Sequence, residues 1–194
     1  MKYWKRYLGF IVLLLSVTSL GFPEDFNLQY FVAKASSKGN ALSKQEIIEL
    51  LNRIEGVMDQ AQRINKSLIQ AIQGGDMTIE YQEGKFWMSK LEEDQESIEG
   101  GIQQIKLLRE RPTHLVASIR LFKSLKDLSS NFNAYNNMPS FSALVGDLAP
   151  EMELWADPVF YKLYLLPLAR TKDVELKVPA PPKEKKPAAK DKKS

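Results

Sequence analysis

Apolar residues recur at alternating three- and four-residue steps through the middle of the chain, which is the spacing of one face of an α-helix. The first run begins at a capping box formed by Ser43 and Glu46 and ends at Gly74 and Gly75. This pattern predicts one long amphipathic helix. Its apolar positions are Ile47, Leu51, Ile54, Met58, Ala61, Leu68 and Ile72, with Leu50, Val57 and Ile64 widening the face.

A second run has a narrower apolar face, which is typical of a coiled-coil seam. Asp76 is its expected N-cap, and the helix should stop before Pro112, because the residue preceding a proline is biased away from helix. Gly100 and Gly101 mark a weak point for a kink or a break. The predicted seam is Met77, Tyr81, Gly84, Met88, Leu91, Gln95, Ile98, Ile102 and Ile105.

Two further apolar segments complete the predicted helices. Pro112 suits the first position of a third helix, which should end before Pro139. A fourth helix is expected to be interrupted at Pro150 and to restart at Asp157 and Pro158, where aspartate caps and proline occupies the first turn. Four helical segments joined by short turns predict an all-α fold, an antiparallel helical bundle whose last helix is interrupted by proline.

The two ends of the chain differ from the middle. Residues 1–21 combine a basic start with a short uncharged apolar run, the layout of a secretory signal peptide or, if uncleaved, of an N-terminal anchor. Small residues place the expected start of the mature chain near Phe22 or Ser36. Residues 179–194 hold six lysines and four prolines and no aromatic residue, so we expect a disordered tail.

These ends define the expected organisation: a linker over residues 22–42, the helical bundle over 43–178, and then the tail. The alternating segment 173–178 is expected to be extended. The net charge of +3 comes from the ends, which leaves the body mildly acidic and makes nucleic acid an unexpected partner. The tail either solubilises the chain or contacts an anionic surface. The absence of cysteine excludes disulfides, thiolate catalysis and zinc–thiolate sites.

The segment Leu154–Ala169 is the most apolar stretch outside the N-terminus, and it carries more large side chains than one helix face can hide. It either closes the core or leaves an exposed aromatic surface for a partner or a membrane. Tyr161 is the position we expect to remain accessible. The candidate partner-binding residues are Trp155, Phe160, Tyr161, Tyr164 and Leu165.

We expect surface or packing roles, and not catalytic ones, for the other residues that could carry chemistry. His114 is the single histidine; we expect it at the surface, with pairing to a methionine as a haem ligand as the alternative. Phe86 and Trp87 are expected to contact another helix or a partner. We expect a solvated helix face, rather than paired catalytic carboxylates, for the acidic cluster of Glu92, Glu93, Asp94, Glu96 and Glu99. No catalytic, cofactor or metal residue is assigned.

The sequence therefore favours a non-enzymatic, exported cell-envelope protein, periplasmic or secreted, that acts through protein or surface contacts. A protein partner or self-association is expected, and membrane contact only through an uncleaved N-terminus or the aromatic segment. The alternatives are a bundle that binds haem or another small ligand, and a hydrolase of unrecognised type. A pocket lined by a carboxylate with a perturbed pKa would favour the hydrolase.

Overall fold

A computed structural model describes residues 26–37, 41–75 and 79–175, and every regular element in these ranges is a helix. The predicted all-α fold is confirmed. The segment 1–21, the tail 179–194, the expected N-cap Asp76 and the predicted seam residue Met77 lie outside the described residues. The elements are α1 (Leu28–Ser36), α2 (Lys44–Gly74), α3 (Tyr81–Glu110), α4 (Leu115–Asn136), α5 (Pro139–Val145), α6 (Leu148–Leu154), a π-helical segment (Trp155–Leu165) and α7 (Leu166–Glu175).

The long helices α2, α3 and α4 pack as antiparallel neighbours. The side-chain amide of Asn65 on α2 donates to the carbonyl oxygen of Leu91 on α3, while Arg109 at the far end of α3 reaches Asn52 near the start of α2. Helix α4 then runs back along α3 and turns into the short helices α5 and α6. The carbonyl oxygen of Ala149 on α6 accepts a hydrogen bond of 3.1 Å from Ser129 on α4.

Helix α2 has the bounds that its capping signals predict. The Glu46 amide donates to Ser43 Oγ at 3.2 Å, and the Ser43 amide donates to Glu46 Oε2 at 2.7 Å. At the other end Gly75 adopts a left-handed conformation with φ of 74°, which glycine reaches without steric cost. The predicted seam residue Leu51 is fully buried.

Helix α1 lies within residues 22–42, the stretch predicted to be a linker. Its N-cap Asn27 accepts a hydrogen bond from the Tyr30 amide, and Phe31 is fully buried with its ring centroid 5.9 Å from that of Trp155. The helix fastens to α2 through Glu46, which accepts hydrogen bonds from Tyr30 and from the ammonium of Lys34. The linker prediction missed this helix because nine residues are too few for a clear periodic pattern.

Helix α3 runs through both glycines without a break. Gly101 is buried against α2 and α4, so that a Cβ atom added there would lie 2.6 Å from Met58 Cε and 3.5 Å from Ser124 Cβ. Gly100 has nothing within 4 Å of such an atom. Gly101 is therefore a point of close helix approach.

The buried seam of α3 departs from the predicted one at Tyr81, Gln95 and Ile102. The buried residues are Leu91, Asp94, Ile98, Gly101, Ile105 and Leu108. Asp94 and Gly101 are buried at the positions in the seam where Gln95 and Ile102 were expected, and Gln95 and Ile102 are only partly buried. Tyr81, which was also expected in the seam, is 73% exposed.

The helix boundaries after α3 correct several proline-based expectations. Pro112 lies in a turn, and α4 begins later, after His114. The break predicted at Pro150 falls earlier, at Gly146, which has φ of 55°. Pro150 lies in the first turn of α6, where the backbone amide of a helix has no intrahelical partner, so the amide hydrogen that proline lacks is not needed. The restart at Asp157 is confirmed, because this residue is extended at φ −140° and ψ 120°.

The last helix extends further than the sequence indicates. Helix α7 continues past Pro167 to Glu175, so that the residues 173–175 are helical and not extended as predicted. The remainder of the predicted extended segment, 176–178, lies outside the described ranges.

One core draws on all the helices from α1 to the π-helical segment. Asn65 is a polar exception in it, since its Oδ1 is buried without a hydrogen-bond partner. The largest fully buried side chains are Trp155, Tyr135, Phe31, Phe132, Phe141, Phe160, Leu50, Leu51, Ile54, Met58, Leu68 and Leu91.

Candidate functional site

Asp94 is buried, with only 1% of its surface exposed. This corrects the expectation that the whole acidic cluster forms a solvated helix face. Asp94 lies three residues after Leu91 and four before Ile98, so it falls on the face of α3 that packs against its neighbours. Glu92, Glu93, Glu96 and Glu99 are exposed, as predicted.

Both carboxylate oxygens of Asp94 accept hydrogen bonds from α4. Asn131 Nδ2 donates to Oδ1 at 2.7 Å, and the Tyr135 hydroxyl donates to Oδ2 at 2.5 Å. Burial raises the pKa of Asp94, and these two hydrogen bonds oppose the rise. Burial also raises the pKa of Tyr135, and the adjacent Asp94 raises it further.

An open groove of about 700 Å³ lies over Asp94 between α3 and α4. We call it the polar groove. Its two ends differ in charge, because Glu93 and Glu96 line the end near Asp94 while Arg120 and Lys123 line the other end. The remaining lining residues are Ser97, Gly100, Gln104, Ser124, Asp127, Ser130 and Asn131.

The hydrogen bonding of Asp94 indicates a structural role. A buried carboxylate with a raised pKa beside a groove is the feature that would favour a hydrolase. Each Asp94 oxygen, however, already accepts a hydrogen bond from a residue of the protein. The arrangement joins α3 to α4 and satisfies a buried charge, as such groups require.

The aromatic segment divides between core and surface. Four of the five candidate partner-binding residues, Trp155, Phe160, Tyr164 and Leu165, are at most 8% exposed. The Tyr164 hydroxyl donates to the Pro112 carbonyl oxygen at 2.8 Å, and burial raises the pKa of this tyrosine to about 12. These four side chains close the core of the bundle, which is the first of the two interpretations that the sequence supports for this segment.

Tyr161 is the accessible member of the candidate set, with 36% of its surface exposed. Its ring packs against Phe122 of α4, with a centroid distance of 5.5 Å. One turn and two turns before Phe122, Ile119 and Val116 are 49% and 52% exposed. We refer to Val116, Ile119, Phe122 and Tyr161 as the Tyr161 patch.

His114 is the N-cap of α4. Its Nδ1 accepts a hydrogen bond of 3.1 Å from the Ala117 amide, so the half-buried imidazole stabilises the first turn. This position explains why the histidine falls between Pro112 and the start of the helix. Within the described ranges, no group of three or more histidine, aspartate or glutamate side chains is arranged to hold a metal ion.

The adjacent side chains of Trp87 and Phe86 lie in different surroundings. Trp87 packs edge-on against Tyr135 and Phe141, at centroid distances of 5.6 and 5.7 Å, which places it against α4 and α5. Phe86 is 55% exposed. The expectation of a contact with another helix therefore holds for Trp87, and Phe86 is a surface residue.

Comparison with protein-family models, with curated proteins and with solved structures finds no match to this chain. Among the helices that the structure describes, none is long and apolar enough to cross a membrane.

Proposed function

We propose that this chain is an exported cell-envelope protein that acts by binding another protein through the Tyr161 patch. The observation that carries the proposal is the accessibility of Tyr161, whose ring packs against Phe122 on the same face of α4 as the exposed Ile119 and Val116. An aromatic residue with an apolar body and a polar tip is a common anchor of protein interfaces.

The surroundings of the patch indicate the chemistry of its partner. Arg120 follows Ile119 and Lys162 follows Tyr161, and both are exposed. A partner that buries the patch would therefore carry an apolar centre with acidic residues at its rim, because opposite charges at a rim favour association. The lysine-rich tail would add attraction to the same acidic partner.

The packing of α1 bears on how the chain is exported. Of the two expected starts of the mature protein, Ser36 would remove Phe31 from its fully buried position beside Trp155. It would also remove Tyr30 and Lys34 from Glu46. We therefore favour a start near Phe22, or an uncleaved anchor, with α1 retained on the bundle. N-terminal sequencing of protein from the envelope distinguishes these starts from Ser36.

The proposal is tested by replacing Tyr161 with serine and Tyr164 with serine as its matched control. Tyr161→Ser should cost about 1 kcal/mol of stability, since it removes an exposed aromatic contact. Tyr164→Ser should cost about 3–5 kcal/mol, because it opens the core and removes a buried hydroxyl bond. Chemical unfolding of the purified variants measures both costs.

Association is then measured in envelope extracts of the producing cell by the size of the native complex that contains the chain. The proposal predicts that Tyr161→Ser reduces this complex to the size of the purified protein without its partner, while the protein stays folded. An unchanged complex would contradict it. Binding to anionic lipid vesicles is measured for the wild type and for Tyr161→Ser. If the wild type binds the vesicles and the variant does not, the patch binds a membrane surface and the proposal of a protein partner is wrong.

A further inference from the structure

The polar groove carries opposite charges at its two ends. Asn131 meets Asp94, and Ser124 faces Gly101, so α4 runs antiparallel to α3 along the groove. Arg120 therefore lies beyond Gly101, while Glu96 lies close to Asp94. At 1.5 Å per residue, Glu96 and Arg120 are separated by roughly 13 Å along the groove.

Glu96 and Arg120 are both exposed, and within the described part of the chain neither forms an ion pair. Their neighbours in the groove differ in this respect, since Glu93 pairs with Lys90 and Lys123 pairs with Asp127 on their own helices. One acid and one base are thus available at opposite ends of the same surface.

Gly100 lies close to the midpoint between these two charges. A Cβ atom added there would meet nothing within 4 Å, so the surface in front of it is open. Ser97 and Ser124 also line this middle part of the groove. Small side chains at this point allow a second helix surface to approach closely.

We propose that the polar groove is the interface between two copies of this chain. A two-fold axis that lies in the plane of the interface, crosses the long axis of the groove at a right angle and passes near Gly100 exchanges the two ends. It brings Glu96 of one copy to Arg120 of the other, and the same contact forms a second time by symmetry. A surface whose charges are reversed about its own midpoint is self-complementary, as a two-fold interface requires.

This interface shares Arg120 with the rim of the Tyr161 patch, but Glu96 lies on α3 and is not part of that patch. Glu96→Arg therefore tests the dimer, and Tyr161→Ser tests the partner contact, without changing the other surface. The full chain, purified in mild detergent, is examined by sedimentation velocity across a range of concentrations. The wild type should be a dimer whose dissociation constant rises with salt, because charge contacts between copies are screened. Tyr161→Ser should leave this dimer unchanged.

Charge reversal gives the decisive comparison. Glu96→Arg alone and Arg120→Glu alone each place like charges together twice, and each should weaken the dimer roughly tenfold or more. The double variant Glu96→Arg with Arg120→Glu restores opposite charges between the copies and should restore the dimer. Glu92→Arg is the control, since Glu92 is exposed on α3 but does not line the polar groove.

Three results would overturn the dimer. The wild type could be monomeric at all concentrations, the single reversals could leave its dissociation constant unchanged, or the double variant could remain as weak as the single ones. As a control, far-UV circular dichroism of the surface variants should show the helix content of the wild type. A dimer that persists through every reversal would place self-association in another part of the chain.

Discussion

The hydroxyl of Tyr135 donates a hydrogen bond of 2.5 Å to the buried carboxylate of Asp94, and this contact joins α4 to α3. Asn131, one helical turn earlier on α4, donates to the other carboxylate oxygen. The pair interrupts an otherwise apolar seam at a defined level. Because a shifted register would leave the carboxylate buried without donors, Asp94 favours one alignment of the two helices.

Replacing Tyr135 with phenylalanine should destabilise the fold by about 1–3 kcal/mol, since it removes one of the two donors from a buried carboxylate. Chemical unfolding measures this cost. Tyr81→Phe makes the same chemical change at a tyrosine of α3 that is 73% exposed, and it should change stability by less than about 0.5 kcal/mol. Equal effects of the two variants would show that the Asp94 contact contributes little.

Glu46 should make stability depend on pH. Burial alone would raise its pKa, but hydrogen bonds from Lys34, Tyr30 and Ser43 lower it to about 2, against an ordinary value of 4.5. A lowered pKa contributes stability that is present above pH 4.5 and is lost as the pH falls towards 2.

Replacing Glu46 with glutamine should therefore lower stability at pH 7 and flatten its fall below pH 4.5. Asp94 acts in the opposite direction, because its raised pKa makes its contribution largest at low pH. The difference between wild type and Glu46→Gln isolates Glu46, since Asp94 is the same in both. Parallel stability curves from pH 2 to 7 would contradict the prediction.

Gly100 and Gly101 should respond differently to alanine. In the monomer, Gly100→Ala should stabilise the chain by about 0.5–1 kcal/mol, because it improves helix propensity and the new methyl group meets nothing within 4 Å in its own chain. Gly101→Ala should gain less or lose stability, because the new methyl group would lie 2.6 Å from Met58 Cε and the methionine must move. Thermal unfolding separates the two, and equal gains would mean that α2 and α3 are packed less closely at this level.

Phe31→Ala should cost about 3–5 kcal/mol, the range for truncation of a fully buried aromatic residue. Gln29→Ala is its control on the same helix, because Gln29 is exposed and should change stability by less than about 0.5 kcal/mol. Chemical unfolding of the full chain measures both. A small effect at Phe31 would show that α1 is a dispensable appendage of the bundle.

The long helices could be predicted because periodicity and capping agree along them. Ser43, Glu46 and Gly75 bound α2 where the sequence indicates, and Leu51 and Ile98 are buried as their spacing predicts. Local signals were sufficient there because many turns repeat the same pattern.

The candidate surfaces depend on tertiary packing and were only partly visible. Periodicity alone predicts that a charged residue faces solvent, and this prediction is wrong for Asp94 because Asn131 and Tyr135 on α4 donate hydrogen bonds to its buried carboxylate. The polar groove joins residues of two helices that are distant in the sequence, and it follows from the antiparallel pairing of α3 and α4. The accessibility of Tyr161 was predicted from the width of its apolar arc, whereas its contact with Phe122 required the path of α4.

The most direct test of the proposed partner contact is photo-cross-linking from position 161 in the envelope of the producing cell. A photoreactive phenylalanine analogue replaces Tyr161 in one variant. In the control variant it replaces Leu144 on α5, which is 42% exposed. The account predicts one discrete cross-linked protein from position 161 and none from position 144. Equal labelling from both positions, or labelling of lipid alone from position 161, would contradict it.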